Sequence, residues 1–384
     1  MDQRVIDLYD KFTHGGISRR VFLDRLAEIA GSSAAAVALL PMLQNDYARA
    51  AIVAPDDARL AIDTVSYEAA GTRITGYLAR LKSKGKRPAV LVIHENRGLN
   101  PHIQDVARRI AIEGFLVCAV DLLSPLGGTP ADEDKARDMI GTLNAGETAR
   151  RAAAAVPFLE HQAESTGNVG AVGFCWGGGG VNQVAVLAPD LKASVAYYGL
   201  QPPASEVPSI KAALLLHYAG LDQRVNAGIA AYEAALKANG KRFTIYMYPN
   251  VNHAFNNDTS NRYDKAAAEL AWSRTIAFLK QELGAPPKAE PRLRLAVFVP
   301  SLLSTTRAVR SSRSSRPRSP INCRPSGMPP SPVRIGRLSA GSPVSVQNVQ
   351  NTGSPVAVPF GATPRADGVM MASACWNTSA KPSA

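Results

Sequence analysis

Short apolar segments alternate with longer amphipathic ones between residues 60 and 283, and this alternation constrains the fold more than any other feature. The segments with strand character are 62–69, 72–81, 88–94, 115–120, 169–174, 193–198, 213–217 and 243–248. Those with helical character are 101–113, 132–143, 147–163, 177–188, 226–239 and 262–282. Most later strands are almost continuously apolar, as expected when helices cover both faces. We therefore predict an α/β fold with a doubly wound, mostly parallel sheet and an antiparallel hairpin at one edge, turning at Ala70-Gly71.

The positive charge of the chain is concentrated at its C-terminal end. Residues 289–384 contain 12 Lys and Arg against 2 Asp and Glu, whereas the preceding 288 residues contain 31 against 29. These last 96 residues also contain 16 Ser and 13 Pro, and such a composition buries too little apolar surface to offset chain entropy. Residues 284–384 are therefore predicted to be a disordered basic tail, either an interaction segment or an extension without a selected role. The near-neutral body argues against a nucleic-acid partner for the folded domain.

The first 50 residues have features of an export leader. Ser18-Arg19-Arg20 precedes an Ala, Gly and Ser-rich segment, and the small-x-small pattern Ala48-Arg49-Ala50 follows it. This arrangement resembles a twin-arginine signal and predicts export to the periplasm, with a leader outside the fold; without such a signal the chain would be cytoplasmic. The alternative is an amphipathic N-terminal helix, because Asp24 and Glu28 interrupt the apolar stretch. No apolar segment is long enough to predict an integral membrane span.

Cys175 differs from the other three cysteines in its surroundings. Cys323 and Cys375 lie in the tail, and Cys118 lies in an apolar strand segment. Cys175 is the centre of Gly173-Phe-Cys-Trp-Gly177, directly after a predicted strand and before a predicted helix. A strand that turns at once into a helix through Gly-x-Cys-x-Gly raises the sulfur above the sheet and directs the helix N-terminus at it. The motif predicts a nucleophile; the alternative is a buried structural cysteine in a glycine-rich turn.

A cysteine nucleophile needs a general base and an acid that orients it. His253 follows the last predicted strand and Asp222 follows the one before, so the chain order is nucleophile, acid, base. We predict Asp222 and His253 as the partners of Cys175. The alternatives are a helix-capping or turn Asp222 and a solvent-exposed His253, with His217 as the reserve base. His14 is set aside because it lies in the leader.

Three motifs together resemble the dienelactone hydrolase family of α/β-hydrolases. They are Gly-Phe-Cys-Trp-Gly-Gly at 173–178, Ala-Gly-Leu-Asp at 219–222 and Asn-His-Ala-Phe at 252–255, and the resemblance extends over 60–283. It implies an α/β-hydrolase that cleaves a carboxylic ester or lactone. It also implies that Glu95 contacts the cysteine and helps to deprotonate it, and that the backbone N–H groups of Trp176 and Asn96 form an oxyanion hole. Taken alone, Glu95 is equally compatible with a solvated loop residue.

The sequence departs from the family at the substrate carboxylate. Members that cleave dienelactone hold this group with two arginines, but the corresponding stretches here, 121–126 and 256–257, contain none. Asparagine cannot supply the charge of a bidentate guanidinium, which argues against dienelactone itself as the substrate. Arg97 is the candidate for a displaced substrate-binding charge. Its alternatives are a pair with Glu95 or a position facing water.

The residues together predict a thiol hydrolase that acts on a small ester or lactone through Cys175, His253 and Asp222 and an acyl-enzyme. No metal-ligand spacing and no dinucleotide fingerprint occurs, so neither a metal nor another cofactor is expected. Two alternatives stay open. The chain could be a non-catalytic member of the fold that binds a small ligand or partner, or Cys175 could be a redox-sensitive thiol. No pattern indicates an oligomeric state.

Overall fold

The computed structural model describes residues 1–47 and 52–285. Eight strands form one sheet: β1 (Leu60–Ala69), β2 (Thr72–Leu81), β3 (Arg87–Ile93), β4 (Leu116–Asp121), β5 (Ser165–Phe174), β6 (Ala193–Tyr197), β7 (Ala213–Ala219) and β8 (Phe243–Tyr248). Their order is β1-β2-β4-β3-β5-β6-β7-β8. β2 pairs antiparallel with both β1 and β4, and the other neighbours are parallel. The predicted parallel sheet with an antiparallel edge hairpin is confirmed.

The helices of the described ranges are α1 (Gln3–Thr13), α2 (Arg19–Ala30), α3 (Ser33–Leu43), α4 (Pro101–Ile112), α5 (Glu133–Gly141), α6 (Ala145–Ala153), α7 (Ala155–Glu160), α8 (Trp176–Leu187), α9 (Gln223–Asn226), α10 (Ile229–Ala238) and α11 (Lys265–Leu283). Short 3₁₀ turns lie at Ser124–Leu126 and Ala204–Ser209. Asn100, Asp132 and Asn144 each accept a backbone N–H bond at a helix start, which explains where α4, α5 and α6 begin. The predicted helix 147–163 is two shorter helices, α6 and α7, whereas the predicted helix 226–239 corresponds to α10.

Helices cover both faces of the sheet. Because side chains alternate across a strand, Val90 and Val92 of β3 face one layer while Leu91 and Ile93 face the other. The first layer contains α4 and α11, and the second contains α7, α8 and α10. Every residue of β3, β4 and β7 is buried, as the continuous apolar runs predict.

Backbone segments pack very closely around the turn between β5 and α8. A Cβ at Gly173 would lie 2.0 Å from the Gly177 carbonyl oxygen, and a Cβ at Gly177 would lie 2.3 Å from that of His94. Between these glycines, Cys175 has φ 56° and ψ −117°, a conformation that L-residues rarely adopt. The sequence motif therefore forms the predicted strained turn, and only glycine fits on either side of it.

Residues 1–47 are folded. α1, α2 and α3 share an apolar cluster in which Phe12 stacks on Phe22 at 4.6 Å and Leu26 is fully buried. They also contact the sheet domain: Arg19 pairs with Asp134 at 2.7 Å. The expectation that this segment lies outside the fold is wrong, because its amphipathic helices bury apolar faces against one another. Export stays a prediction, and the predicted cleavage motif at 48–50 lies outside the described residues, as does the tail from 286 onward.

No single helix in the described ranges combines the length and apolar character needed to cross a membrane. Only α2 and α3 taken together reach that composition, and the chain bends by 110° between them.

The close approach of α8 predicts a strong difference between two glycine substitutions. We expect Gly177→Ala to destabilise the fold by about 3 kcal/mol or more, since the new methyl group would meet two backbone carbonyl groups that cannot move. Gly141→Ala, in α5 with no atom within 4 Å of its Cβ position, is the control, and we expect it to be neutral or stabilising by about 0.5 kcal/mol. Urea unfolding of both variants measures this difference. Equal stabilities would contradict the packing described here.

Candidate active site

Four parallel strands of the sheet carry the predicted site residues on the segments that follow their carboxyl ends. Glu95 and Asn96 follow β3, Cys175 follows β5, Asp222 follows β7 and His253 follows β8. The carboxyl ends of parallel strands meet at one edge of the sheet, so segments far apart in sequence converge there. The strand register thus explains why these residues share one site.

Asp222 and His253 form a buried hydrogen-bonded pair. The His253 Nδ1 lies 2.5 Å from the Asp222 Oδ2, and both side chains are less than 5% exposed. The other carboxylate oxygen of Asp222 accepts the Val225 N–H at 3.2 Å and caps α9. Asp222 is therefore a helix cap as well as the partner of His253, one oxygen serving each role. Burial raises the pKa of Asp222, but the charge of His253 and its hydrogen bond outweigh burial and hold that pKa below its usual value.

A second histidine, His14, reaches the same cysteine from the N-terminal helices. It directly follows α1, and its Nε2 lies 3.3 Å from the Cys175 Sγ. Its Nδ1 lies 2.8 Å from the backbone carbonyl oxygen of Asp10 and 3.3 Å from the carboxylate of the same residue. Sequence reasoning set His14 aside with the leader. The available signal was the four-residue spacing of Asp10 and His14, which puts both on one face of a helix.

Cys175 lies between two histidine–aspartate pairs. Its sulfur and one ligand-type atom of each histidine all lie within 4.8 Å of one another. Burial alone would raise the pKa of the Cys175 thiol, but the positive charges of His253 and His14 outweigh burial and lower that pKa to about 5. Burial likewise opposes the charge on each ring, yet Asp10 and the thiolate raise the pKa of His14 to about 10. The thiolate and Asp222 raise the pKa of His253 to about 9.

Glu95 lies near this cluster but does not contact the sulfur. Its carboxylate accepts a hydrogen bond from the Asn257 side-chain amide at 2.7 Å and one from the Tyr198 hydroxyl at 3.5 Å. The side chain is buried, so it is not the solvated loop residue of the alternative interpretation. The expected contact between Glu95 and Cys175 is therefore wrong for this structure, in which His14 contacts the sulfur instead.

Arg97 is occupied by protein groups. Its guanidinium donates to the Glu133 carbonyl oxygen and to the Asp134 carboxylate at 3.0 and 3.1 Å, and to the Tyr9 hydroxyl at 3.2 Å. It is 5% exposed. The expected substrate-binding role of Arg97 is wrong, as is its alternative pairing with Glu95, because this side chain links α1 to α5.

The segment after β3 is held rigidly beside the cysteine. Neutral His94 donates from Nδ1 to the Glu95 carbonyl oxygen at 2.7 Å and accepts the Leu122 N–H on Nε2 at 3.3 Å. Burial lowers the pKa of His94, which favours this neutral form. Its ring stacks on Trp176 at 5.3 Å, and the Asn96 side chain donates to the Thr13 carbonyl oxygen at 2.8 Å. These contacts hold Asn96 and Trp176, the two residues expected to supply oxyanion-hole N–H groups, and both residues border the same cavity as Cys175.

His217, the reserve base, belongs to the interior. It is fully buried on β7, where its Nε2 lies 3.1 Å from the Thr275 hydroxyl and its Nδ1 lies 2.9 Å from the Tyr248 hydroxyl. Burial lowers its pKa to about 3. His217 therefore joins the sheet to α11 and is not the base of this site.

A cavity of about 680 Å³ opens onto Cys175. Its wall includes His14, Gly15, Ile140, Leu143 and Trp176. Arg137 and Arg224 are also in its wall. The N-terminal helices thus form part of the wall that encloses the sulfur, and a small organic molecule fits the space.

Comparison with known proteins agrees with this geometry. The model of the dienelactone hydrolase family matches residues 74–283, more than half of the chain and all four strand ends that carry the site. The chain belongs to the dienelactone hydrolase family. This membership confirms the family indicated by the three sequence motifs. A separate family model, described as YqhI-like, matches residues 1–32, the part of the chain that contains Asp10 and His14.

Individual members of the family show the same relationship. A putative carboxymethylenebutenolidase of Escherichia coli O157:H7 is 35% identical over 59% of this chain and 89% of its own length. A probable 2-oxo-3-(5-oxofuran-2-ylidene)propanoate lactonase of a Bradyrhizobium species is 29% identical over 58% of this chain and 96% of its own. The crystal structure of a putative dienelactone hydrolase from Klebsiella pneumoniae superposes with a TM-score of 0.52 at 26% identity, covering 58% of this chain and 99% of that one. The fold is that of the α/β-hydrolases.

The electrostatics of the cluster predict an unusually acidic thiol that depends on the N-terminal helices. We expect the rate of Cys175 alkylation by iodoacetamide to rise with pH around a midpoint near 5, since both imidazolium charges favour the thiolate. His14→Ala removes one of these charges and should move the midpoint upward. The exposed His161, changed to Ala, is the matched control and should leave it unaltered. A midpoint that is the same with and without His14 would contradict the proposed charge interaction.

Proposed function

We propose that this protein hydrolyses small carboxylic esters or lactones through a cysteine acyl-enzyme. Cys175 is the nucleophile, His253 the general base and acid, and Asp222 the group that orients His253. The observation that supports this assignment best is the buried 2.5 Å bond between Asp222 and His253, formed at the same sheet edge as the strained cysteine turn. The relatives named as butenolidase and lactonase support the substrate class.

The reaction follows from the charges in the site. The Cys175 thiolate attacks the carbonyl carbon, and the carbonyl oxygen becomes an oxyanion that accepts the N–H groups of Trp176 and Asn96. As the carbon–oxygen bond breaks, His253 gives its proton to the leaving alkoxide. In a lactone the leaving alkoxide and the acyl group belong to one molecule, so the alkoxide stays attached to the acyl-enzyme after the ring opens. Neutral His253 then takes a proton from water, hydroxide attacks the thioester, and the acid product leaves with Cys175 again a thiolate beside a protonated His253.

His14 has a different part in this proposal from His253. Its Nε2 bonds the resting sulfur, and Asp10 holds its ring and its charge in place. The Asp10–His14 pair thus favours the deprotonated state of Cys175, which the family resemblance had implied would be the task of Glu95. It leaves His253, whose Nε2 makes no hydrogen bond within the described residues, available for the leaving group and for water.

The cavity supports a small substrate rather than a polymer. Its volume of about 680 Å³ lies in the range of small-molecule pockets, and its wall combines Ile140 and Leu143 with Trp176. Asn257, which stands where dienelactone-cleaving relatives were expected to have an arginine, is bonded to Glu95 instead. The two arginines of the cavity wall are already paired, Arg137 with Asp134 at 3.0 Å and Arg224 with Asp10 at 3.6 Å. A neutral or weakly polar acyl group therefore suits this site better than the dienelactone carboxylate.

The redox alternative has less support. A thiol sensor usually forms a disulfide with a nearby resolving cysteine, and the second described cysteine, Cys118, is buried in β4. Burial raises the pKa of Cys118 to about 12, which suppresses its thiolate. Cys175 is thus better suited to acyl transfer than to disulfide chemistry.

Substitution of the three residues tests the proposal. On a panel of p-nitrophenyl esters and small lactones, Cys175→Ala and His253→Ala should each lower kcat/KM by about 10³-fold or more. Asp222→Asn should lower it by about 10²- to 10⁴-fold and keep the fold, because asparagine still caps α9. His161→Ala serves as the control with full activity. Activity that persists in Cys175→Ala, or a wild-type protein that hydrolyses no member of the panel, would refute the proposed function.

A further inference from the structure

The three groups around the sulfur also have the form of a metal site. The Cys175 sulfur and a ring nitrogen from each of His14 and His253 lie within 4.8 Å of one another. Four ligands around Zn²⁺, at about 2.0–2.3 Å from the ion, are separated from each other by roughly 3.3–3.8 Å. The 3.3 Å between the Cys175 Sγ and the His14 Nε2 already falls at that spacing. Only a small shift of the His253 ring would complete a three-ligand set.

Both histidines carry the outer contacts that metal-binding histidines need. The Nδ1 of His253 lies 2.5 Å from the Asp222 carboxylate. The Nδ1 of His14 lies 2.8 Å from the Asp10 backbone carbonyl oxygen and 3.3 Å from the Asp10 carboxylate. An acceptor on Nδ1 fixes the tautomer that leaves Nε2 free to bind a metal, and carboxylates in this position increase ligand basicity. The two pairs come from separate segments of the chain, yet they have the same arrangement around one sulfur.

Two further observations point to an occupant among these groups. The His253 Nε2 is buried and has no hydrogen-bond partner within the described residues, which is costly unless another group satisfies it. A small pocket of about 20 Å³ is bordered by Cys175, His14 and His253. That volume is enough for a single water-sized particle. Arg262 borders the same pocket, but its guanidinium is bonded to the Asp10 carboxylate at 3.3 Å.

We propose that Cys175, His14 and His253 bind one divalent transition metal of the zinc class. One thiolate and two imidazoles are the ligand types that Zn²⁺ prefers, and oxygen-seeking ions such as Mg²⁺ bind such a set poorly. Cys175 and His14 also border the larger cavity, so the remaining coordination position of the ion would be open to it. The N-terminal helices are required for this site, since His14 is one of its three protein ligands.

The bound metal blocks the nucleophile. A sulfur that donates its electron pair to Zn²⁺ is a poor attacking group, and His253 cannot shuttle protons while its Nε2 binds the ion. The metal-loaded protein is therefore inactive toward esters, and removal of the metal restores the free thiolate. This consequence rests on the proposed function, whereas metal binding itself does not.

Metal binding is measured on the full chain after treatment with a chelator. We expect Zn²⁺ to bind at one ion per chain, and Co²⁺ to produce the near-ultraviolet absorption band of a thiolate–cobalt bond. His14→Ala and Cys175→Ala should each weaken Zn²⁺ binding at least tenfold, and Cys175→Ala should also abolish the cobalt band. Asp10→Asn should weaken binding about tenfold through the loss of the outer carboxylate. His161→Ala, the control, should bind as the wild type does. Circular dichroism of every variant separates loss of ligands from loss of fold.

Ester hydrolysis supplies the second measurement. Zn²⁺ should inhibit the wild-type enzyme, a chelator should reverse the inhibition, and inhibition of His14→Gln should require at least tenfold more Zn²⁺. Binding that does not depend on His14, or hydrolysis that increases with Zn²⁺, would overturn the proposal. If the protein binds Zn²⁺ at these residues but hydrolyses no ester, the proposed function fails and the metal site stands. If it hydrolyses esters without any effect of Zn²⁺, the metal site fails and the hydrolase stands.

Discussion

The positive φ of Cys175 is the constraint on which the site depends. This conformation is maintained because the first turn of α8 packs directly on the backbone after β3. The packing leaves no room for a side chain at Gly173 or Gly177. This packing does three things at once. It raises the sulfur above the sheet, points the N-terminus of α8 at it, and holds the backbone after β3 against the first turn of α8. A side chain at either glycine would separate these elements, so the chemistry and the packing have one structural origin.

The charges around the sulfur alternate in sign along a continuous path. Asp10, His14, Cys175, His253 and Asp222 follow one another at hydrogen-bonding or near-contact distances. Each buried charge has an opposite charge beside it, which is the condition under which ionised groups persist away from water. In the proposed mechanism the two rings have different parts, His14 beside the resting sulfur and His253 in proton transfer.

Sequence reasoning was successful where the information is local or follows from the order of strands. The eight strands, the turn at Cys175 and the pair Asp222 and His253 are all indicated by apolar runs, glycine spacing and positions after strand ends. His14 was missed because its role depends on a tertiary contact between residues 161 positions apart, and it lies just before the Arg19-Arg20 pair and the small-residue segment that resemble an export leader. Glu95 and Arg97 were misassigned for a related reason. Their partners, Asn257 and Tyr9, come from distant segments that only the folded chain brings near.

The contact between His14 and Cys175 also couples the N-terminal helices to the state of the sulfur. If docking of these helices lowers the thiol pKa, then by thermodynamic linkage the thiolate holds them more tightly than the thiol does. Each unit of that pKa difference corresponds to about 1.4 kcal/mol of docking free energy. In the proposed acyl-enzyme the thiolate becomes a neutral thioester, which removes this attraction but involves none of the groups in the Arg19–Asp134 and Arg97–Tyr9 contacts. On the proposed mechanism, the segment that walls the cavity would therefore be held most firmly in the resting enzyme and less firmly in the acyl-enzyme, when water must enter.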